Sequence, residues 1–540
     1  MQSSTAASNY INELEISKQR YLQLESRNKE LEGKIIELKE YQSKYYELKE
    51  YESKYYELKE KYDLLVYKRF VRSAEQLLLD EKQQLLFTEE ETQKPEGEKE
   101  KPCELQTVKQ FTRRKSGRKP IPPSLSRRER IIDIDESEKT CACGAKLSRI
   151  GEETSEKLEI IAPEIYVDKI VRPKYACRSC EGVQEEGKPV VRIAPVEPSM
   201  IPRSIASASL LSTITTQKFE MHLPYYRQEK QFEDMGVFIS RQDMANWQQQ
   251  VYKKLYILFL ILIETVKSWF VLNMDETTLQ VIGEEGRSDT QKSYMWVALG
   301  GPPGKKVVWY EYHKSRASCH AKEFLTGYKG YLQTDGFSGY DKAVSENTDI
   351  IQVGCFAHAR RKFFEAAKAG KESKSAEVGL SFIRRLYEIE KKLRSQWEDD
   401  SEKFLLERKK AIEPELVQFR HWLEKRKAEV LDSSLLGKAI YYSLSQWDKL
   451  VAYLESPHLT PDNNACENAI RPFVIGRKNW LFNQSPDGAE SSAGMFTLIE
   501  TAKANGLVPG KYLKALFEKA PYASSTEEWE KLLPWNIFQN

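Results

Sequence analysis

The chain has 540 residues, too many for one ordinary hydrophobic core, so several domains are expected. Its 40% hydrophobic residues support packed cores, and its 30% charged residues point to a soluble chain with extended charged surfaces. A net charge of +2 excludes reading a partner from total charge and leaves local charge blocks to carry that information.

The N-terminus is polar and lacks the charged, apolar and small-residue order of a signal peptide. No Pro occurs before Pro95, and YQSKYYELKE (41–50) is followed directly by YESKYYELKE (51–60). Leu24, Leu31, Leu38 and Tyr45 fall seven apart; the pattern resumes in shifted frames at Leu48, Tyr55 and Tyr62 and at Tyr51, Leu58 and Leu65. A ten-residue duplication is a heptad plus three, which moves the seam and locally overwinds a coiled coil. Residues 1–87 are therefore expected to form a coiled coil that joins two or more copies. A single solvated helix or a helical hairpin would carry the same pattern.

Residues 88–130 change character. TEEETQKPEGEKEKP reads as a flexible acidic linker, and QFTRRKSGRKPIPPSLSRRER is strongly basic. Arg113, Arg114, Lys115, Arg118 and Lys119 suit an arm running along phosphates, and equally a solvated linker. Within 131–185, Cys141-x-Cys143 is followed about thirty residues later by Cys177-x-x-Cys180. Two close thiol pairs on loops fit one tetrahedral Zn²⁺, which fixes a domain too small to bury a core. Between them IYVDKIV alternates like a strand. Of the other cysteines, Cys103, Cys319 and Cys466 are expected simply to pack.

Residues 186–268 read as helical. One helix ends near Asp234-Met235-Gly236, and Ser240 would cap another beginning at Arg241, a weak helix-turn-helix signal. Tyr256–Ile263 is the longest apolar run; it is far short of the roughly 20 residues of a membrane span and is expected to be a buried helix.

From residue 269 the periodicity is that of strands. WFVLNMDETTLQVIG, SYMWVALGG and KKVVWYEYHKS read as three strands, HAKEFLTGY as a helix, and GYLQTDGFSGYDKA as a fourth strand ending at Asp335. DIIQVGCFAHARRKFFEAAK reads as a fifth strand running into a helix. This is the order of a ribonuclease H-like α/β fold, with one acid on the first strand, Asp275, and another after the fourth, Asp335. A third acid is expected from a later helix, and NNACENAIRPFVIGRKNWLF offers Glu467, with Asn463 or Asn464 as the cap and a kink or stop at Pro472. Three carboxylates can hold two divalent cations for in-line phosphoryl displacement. Among 81 Asp and Glu residues, spacing alone does not select these three.

Longer segments do. YKRFVRSAEQL, GRKPIPPSLSRRERI, CACGAKLSRIGEE, YVDKIVRPKYACRSCEG, MHLPYYRQEKQFEDMGV, MDETTLQV, LQTDGFSGYD, CFAHARRKFFEA, DNNACENAIRPFVIGRKNWLFNQSPDGAESSA, LIETAKANG and LLPW occur in this order. From about residue 64 to the C-terminus the chain thereby resembles the insertion sequence 66 family of bacterial transposases. The resemblance implies a DDE catalytic triad at Asp275, Asp335 and Glu467, holding Mg²⁺ or Mn²⁺, and a structural Zn²⁺ at Cys141, Cys143, Cys177 and Cys180. It also covers Cys355-x-x-His358, which either orients the core or approaches the metals. Arg360, Arg361, Arg471, Arg477 and Lys478 are expected to contact DNA.

The expected layout is a coiled coil (1–87), linker (88–130), zinc-ribbon-like β domain (131–185), helical DNA-binding segment (186–268), ribonuclease H-like core (269–370), helical insertion (371–455), a second core part carrying the third acid (456–510) and a C-terminal tail (511–540). The implied function is binding of terminal inverted repeats, cleavage at the ends and joining of 3′-hydroxyls to target double-stranded DNA. A nuclease without strand transfer, or a zinc-dependent DNA-binding regulator, are the alternatives. The expected setting is the bacterial cytoplasm at the nucleoid, with no membrane partner, as a homodimer or larger assembly that accessory proteins of the same element could join.

Overall fold

The structure is a computed structural model that describes residues 2–70, 165–176, 191–345, 347–369 and 373–539. The chain divides into two compact units, Met1–Thr92 with Ala194–Asn540, and Gln93–Ile193. In the second unit, strands β1 (Lys174–Ala176) and β2 (Val191–Ile193) pair antiparallel. Ile165–Val171 does not form the expected strand: Tyr166 and Val167 are exposed, and pairing starts only after Pro173. Alternation alone does not make a strand without a neighbouring edge to bond to. The acidic linker, the basic arm from Arg113 to Lys119 and Cys141, Cys143, Cys177 and Cys180 lie outside the described residues.

The larger unit begins with α1 (Gln2–Phe70), one uninterrupted helix of Pro-free sequence. Its surface carries i,i+4 pairs such as Glu30–Lys34 and Glu50–Lys54, each at 2.6 Å. Leu24, Leu38 and Leu58 of the seven-residue pattern are exposed in the single chain. Towards its C-terminal end α1 meets the rest of the unit. The Glu60 carboxylate accepts the Leu435 N–H (2.9 Å), and Tyr67 packs edge-on against Phe364.

Four helices follow: α2 (Ala208–Phe219), α3 (Tyr225–Asp234), α4 (Arg241–Lys254) and α5 (Tyr256–Lys267). Ser240 caps α4 as expected, accepting the Asp243 N–H at 3.1 Å. The apolar helix α5 is only half buried. Leu258, Phe259, Leu262 and Val266 face the core, whereas Tyr256, Ile257 and Leu260 are exposed. It packs along one side of the sheet, and a period of 3.6 residues turns the other side to solvent.

The sheet comprises β3 (Val271–Gln280), β4 (Lys292–Gly300), β5 (Val307–His313), β6 (Gly330–Gln333) and β7 (Ile350–Val353), in the spatial order β5-β4-β3-β6-β7. The first three are antiparallel neighbours; β6 and β7 run parallel to β3. Helices α6 (Ser318–Phe324) and α7 (Ser338–Val344) flank β6, and α8 (Phe356–Ala369) leaves β7.

The insertion is helical, as expected: α9 (Ser373–Gln396), α10 (Ser401–Lys427), α11 (Leu435–Ser445) and α12 (Trp447–Val451). It builds a second apolar core with α8, where Phe363, Phe382, Phe419 and Trp422 stack together. The chain then returns to the sheet through α13 (Asn464–Trp480), α14 (Pro486–Ala504), α15 (Pro509–Lys519) and α16 (Thr526–Glu530). Helix α14 covers the outer edge of β5. Thr497 and Thr501 hydroxyls accept the Tyr310 and Val308 N–H groups at 2.9 and 3.1 Å, so this edge has no exposed ladder there. Residues 511–539, expected as a tail, pack into the core: Tyr512, Leu516 and Trp529 are buried.

Candidate active site

Backbone register brings together the segments that carry the first two acids. Strands β3 and β6 run parallel with Asn273 opposite Gln333. Asp275 lies two residues further along β3, on the face of Asn273, and Asp335 lies two residues beyond Gln333, where the chain leaves the strand. Strand β6 ends at Gln333, two residues earlier than expected, and Asp335 stands on the exit loop. Its Oδ1 accepts the Phe337 N–H at 2.9 Å across a turn in which Gly336 has φ +85°, a conformation Gly adopts without steric cost.

Glu467 arrives from α13. That helix neither stops nor breaks at Pro472, but continues to Trp480. The Ala469 carbonyl accepts the buried Tyr310 hydroxyl, which ties this part of α13 to β5. Asn463 occupies the N-cap position without making a side-chain cap bond, because its amide is used elsewhere. The start of the helix is instead held by Asp462, whose Oδ1 accepts the Asn464 N–H at 3.0 Å.

The charges of the three acids reach one another. Burial pushes the Asp275 carboxyl well above the ordinary range, and the negative charges of Glu276, Asp335 and Glu467 push it further. Burial also raises Glu467, against the opposing pull of Arg361. Arg361 Nη2 lies 3.8 Å from Glu467 Oε2, and His358 Nδ1 lies 3.5 Å from Glu467 Oε1. Burial and Arg361 lower the His358 pKa to about 4, so the imidazole is neutral at pH 7 and makes no ion pair there. Both facing atoms, Glu467 Oε1 and His358 Nδ1, are buried without a hydrogen-bond partner. Donor atoms of Cys355, His358 and Glu467 lie within 4.8 Å of one another.

The orphaned donor atoms of Glu467 and His358, with the Cys355 thiol beside them, fit a divalent cation, and Asp275 and Asp335 stand outside that cluster. Burying the Asp275 and Glu467 carboxyls without a cation costs free energy. Cys355 has a structural role as well: its Sγ accepts the Asn463 N–H at 3.3 Å, linking the start of α8 to that of α13.

Around this pocket stand residues that the sequence did not single out. Glu276, next to Asp275, is clamped by the Arg316 guanidinium and by the Tyr340 hydroxyl at 2.5 Å. Arg316 Nη2 also lies 3.8 Å from Asp335 Oδ2, and its guanidinium stacks 3.7 Å over the Phe337 ring. Arg316 lies outside every motif read from the sequence, and Tyr340 lies within LQTDGFSGYD without a role assigned there, so only the fold reveals their place beside Glu276.

Four family models match the chain. The Transposase IS66 family covers residues 203–491, more than half of the sequence. The chain belongs to the IS66 transposase family. Within that family, the zinc-finger binding domain of the transposase matches residues 138–181, which include all four predicted zinc cysteines. The IS66 C-terminal element matches 497–535, and the segment described as Transposase C of IS166 homeodomain matches 57–130.

Two Sinorhizobium fredii proteins, y4jD and y4hP, both uncharacterized, are 32% and 30% identical to this IS66 transposase. The alignments cover 77% and 79% of this chain and 81% and 78% of the relatives. As an IS66 transposase the chain is a multidomain DNA-binding enzyme with an N-terminal helical region, a zinc finger and a mixed α/β core. No helix among the described residues is long and apolar enough to cross a membrane.

The other expected site residues are distributed unevenly. Arg361 faces Glu467, and Arg471 lies one turn beyond it on α13. Arg477 is turned onto β3, where its Nη1 donates to the hydroxyls of Thr277 and Thr278 at 3.3 and 2.7 Å. This transposase uses Arg477 to fasten α13 to the strand carrying Asp275. Of the cysteines expected to pack, Cys466 is buried, whereas Cys319 is exposed.

Proposed function

We propose that Asp275, Asp335 and Glu467 are the DDE acids of this transposase and together hold two Mg²⁺ or Mn²⁺ ions. The observation that supports the reading is the parallel β3–β6 register, which sets the segments bearing Asp275 and Asp335 side by side, with burial and then the charges of Glu276, Asp335 and Glu467 raising the Asp275 carboxyl. The strand order β5-β4-β3-β6-β7, with two parallel strands added to an antiparallel trio, supports a ribonuclease H-like core.

The bound ions would activate the attacking oxygen and stabilise the leaving oxygen of an in-line displacement. The chain's own residues bind and orient: the acids fix ligand geometry, and Arg361 and Arg316 balance negative charge beside the site. In this reading water hydrolyses a phosphodiester at each element end. The freed 3′-hydroxyl then attacks target DNA, with one P–O bond formed as another breaks. The zinc domain and basic arm, with α3 and α4, would bind the terminal repeats. The exposed heptad positions of α1 would pair with a second copy.

The test is cleavage of duplex DNA carrying the element's terminal inverted repeats in Mg²⁺. Asp275→Asn, Asp335→Asn and Glu467→Gln each abolish cleavage and keep end binding. Wild-type cleavage by Asp335→Asn would overturn the assignment. Cleaved ends without joined product would reduce the activity to that of a nuclease.

A further inference from the structure

Beneath the three acids lies a layer of three buried amides, one on each acid-bearing segment. Asn273, Gln333 and Asn463 are 9%, 1% and 0% exposed. Asn273 Nδ2 donates both to Gln333 Oε1 (3.1 Å) and to Asn463 Oδ1 (2.9 Å). Gln333 Nε2 donates to the Thr460 carbonyl (2.7 Å) and to the Gly354 carbonyl (3.4 Å). Asn463 Nδ2 donates to the Met274 carbonyl at 2.9 Å.

The spacing to the acids follows the period of each segment. Asp275 is two residues beyond Asn273, Asp335 two beyond Gln333, and Glu467 four beyond Asn463. Two residues along β3 return Asp275 to the face of Asn273, Glu467 follows the N-cap Asn463 by about one helical turn, and Asp335 follows Gln333 by two residues on the exit loop. Each amide is therefore close in the chain to an acid on its own segment. A buried network in which every amide nitrogen donates to a fixed partner holds its members in one arrangement.

Amides suit this position: they link three segments by directional bonds and add no charge beneath crowded carboxylates. Apolar residues would pack without fixing register, and a charged residue would change the electrostatics of the acids.

We propose that Asn273, Gln333 and Asn463 are positioning residues that fix the separation of the three carboxylates and so set the affinity of this transposase for its divalent cation. The inference rests on the metal-binding reading above and assigns the determinant of that site's geometry.

The test uses full-length protein and Mn²⁺, with binding followed by loss of the free-ion electron paramagnetic resonance signal. Circular dichroism and thermal melting are recorded alongside. Gln333→Met, matched in length, and Asn273→Ser are compared with wild type and Asp335→Asn. The expected result is a native spectrum with Mn²⁺ affinity weakened about 10–100-fold, the effect typical of groups that orient metal ligands. A purely structural role lowers the melting temperature and leaves Mn²⁺ affinity in place.

Wild-type affinity in folded Gln333→Met and Asn273→Ser, with Asp335→Asn unable to bind, overturns the positioning role alone. Wild-type affinity in Asp335→Asn overturns the metal site, and the positioning role with it. Should neither variant fold, hydrogen exchange of wild type decides: Mg²⁺ must slow exchange at 333–335 and 463–467 together. Protection at only one of these segments overturns the proposal.

Discussion

The Tyr442 hydroxyl donates a hydrogen bond of 2.8 Å to the main-chain carbonyl of Asp335. Tyr442 belongs to α11 of the insertion, so the segment between the second and third acids reaches back to hold the second. A single hydrogen bond of this kind contributes about 0.5–1.5 kcal/mol. Tyr442→Phe should therefore lower stability by about that amount in equilibrium denaturation. It should also raise the Mg²⁺ concentration needed for half-maximal end cleavage, while leaving DNA-end affinity unchanged.

The insertion holds the approach to the third acid as well. Arg408 is fully buried on α10 and forms two bonds to the Glu390 carboxylate, at 2.9 and 2.8 Å. Its remaining donors reach the carbonyls of Tyr453, Ser456 and Leu459, all within 2.9 Å. Those carbonyls lie on the segment that leads into α13 and Glu467. Removing one partner of a buried pair strands the other charge and costs about 3–5 kcal/mol. Arg408→Ala should lose about that much stability. Arg408→Met combined with Glu390→Leu, which removes both charges, should recover much of it in denaturant titration.

The raised carboxyls give a pH signature. Burial, followed by neighbouring negative charge, raises Asp275; burial raises Glu276 and Glu467. The folded metal-free chain therefore holds these protons more tightly than the unfolded chain does. The associated stability is fully present below the ordinary carboxylate pKa of about 4 and is lost as pH rises through the higher folded values. Without divalent cation, wild type should melt progressively lower than Asp275→Asn as pH increases from about 4 to neutrality. Saturating Mg²⁺ at neutral pH should reverse that order, because the cation binds the folded wild type and not the variant. A melting difference independent of pH would contradict the assignment of these shifts.

The parts of the fold written in local periodicity were legible in the sequence. The five strands, the Ser240 cap and the helical insertion all appear in the structure, since apolar period and capping chemistry act over a few residues. The proposed acids come from the long motifs around MDET, TDG and ACEN. What escaped depends on partners far along the chain. Pro472 signalled a kink or stop, but α13 runs on to Trp480, tied to β5 where Tyr310, 159 residues from Ala469, donates to the Ala469 carbonyl. Asn463 signalled a cap, yet its amide is spent on Asn273, 190 residues away. Arg477 resembled a phosphate contact and is instead bonded to Thr278, 199 residues distant. Arg316 carries no motif and Tyr340 sits in one without an assigned role, and only the folded chain sets them beside Glu276.

The central claim is that Asp275, Asp335 and Glu467 hold divalent cations in common. Anomalous diffraction at the manganese edge, from crystals of the full-length protein with terminal-repeat DNA and Mn²⁺, tests it most directly. The account predicts two peaks about 3.5–4 Å apart, ringed by these three carboxylates. Saturating Mn²⁺ that leaves no peak among them, or peaks bound wholly by other residues, would contradict it.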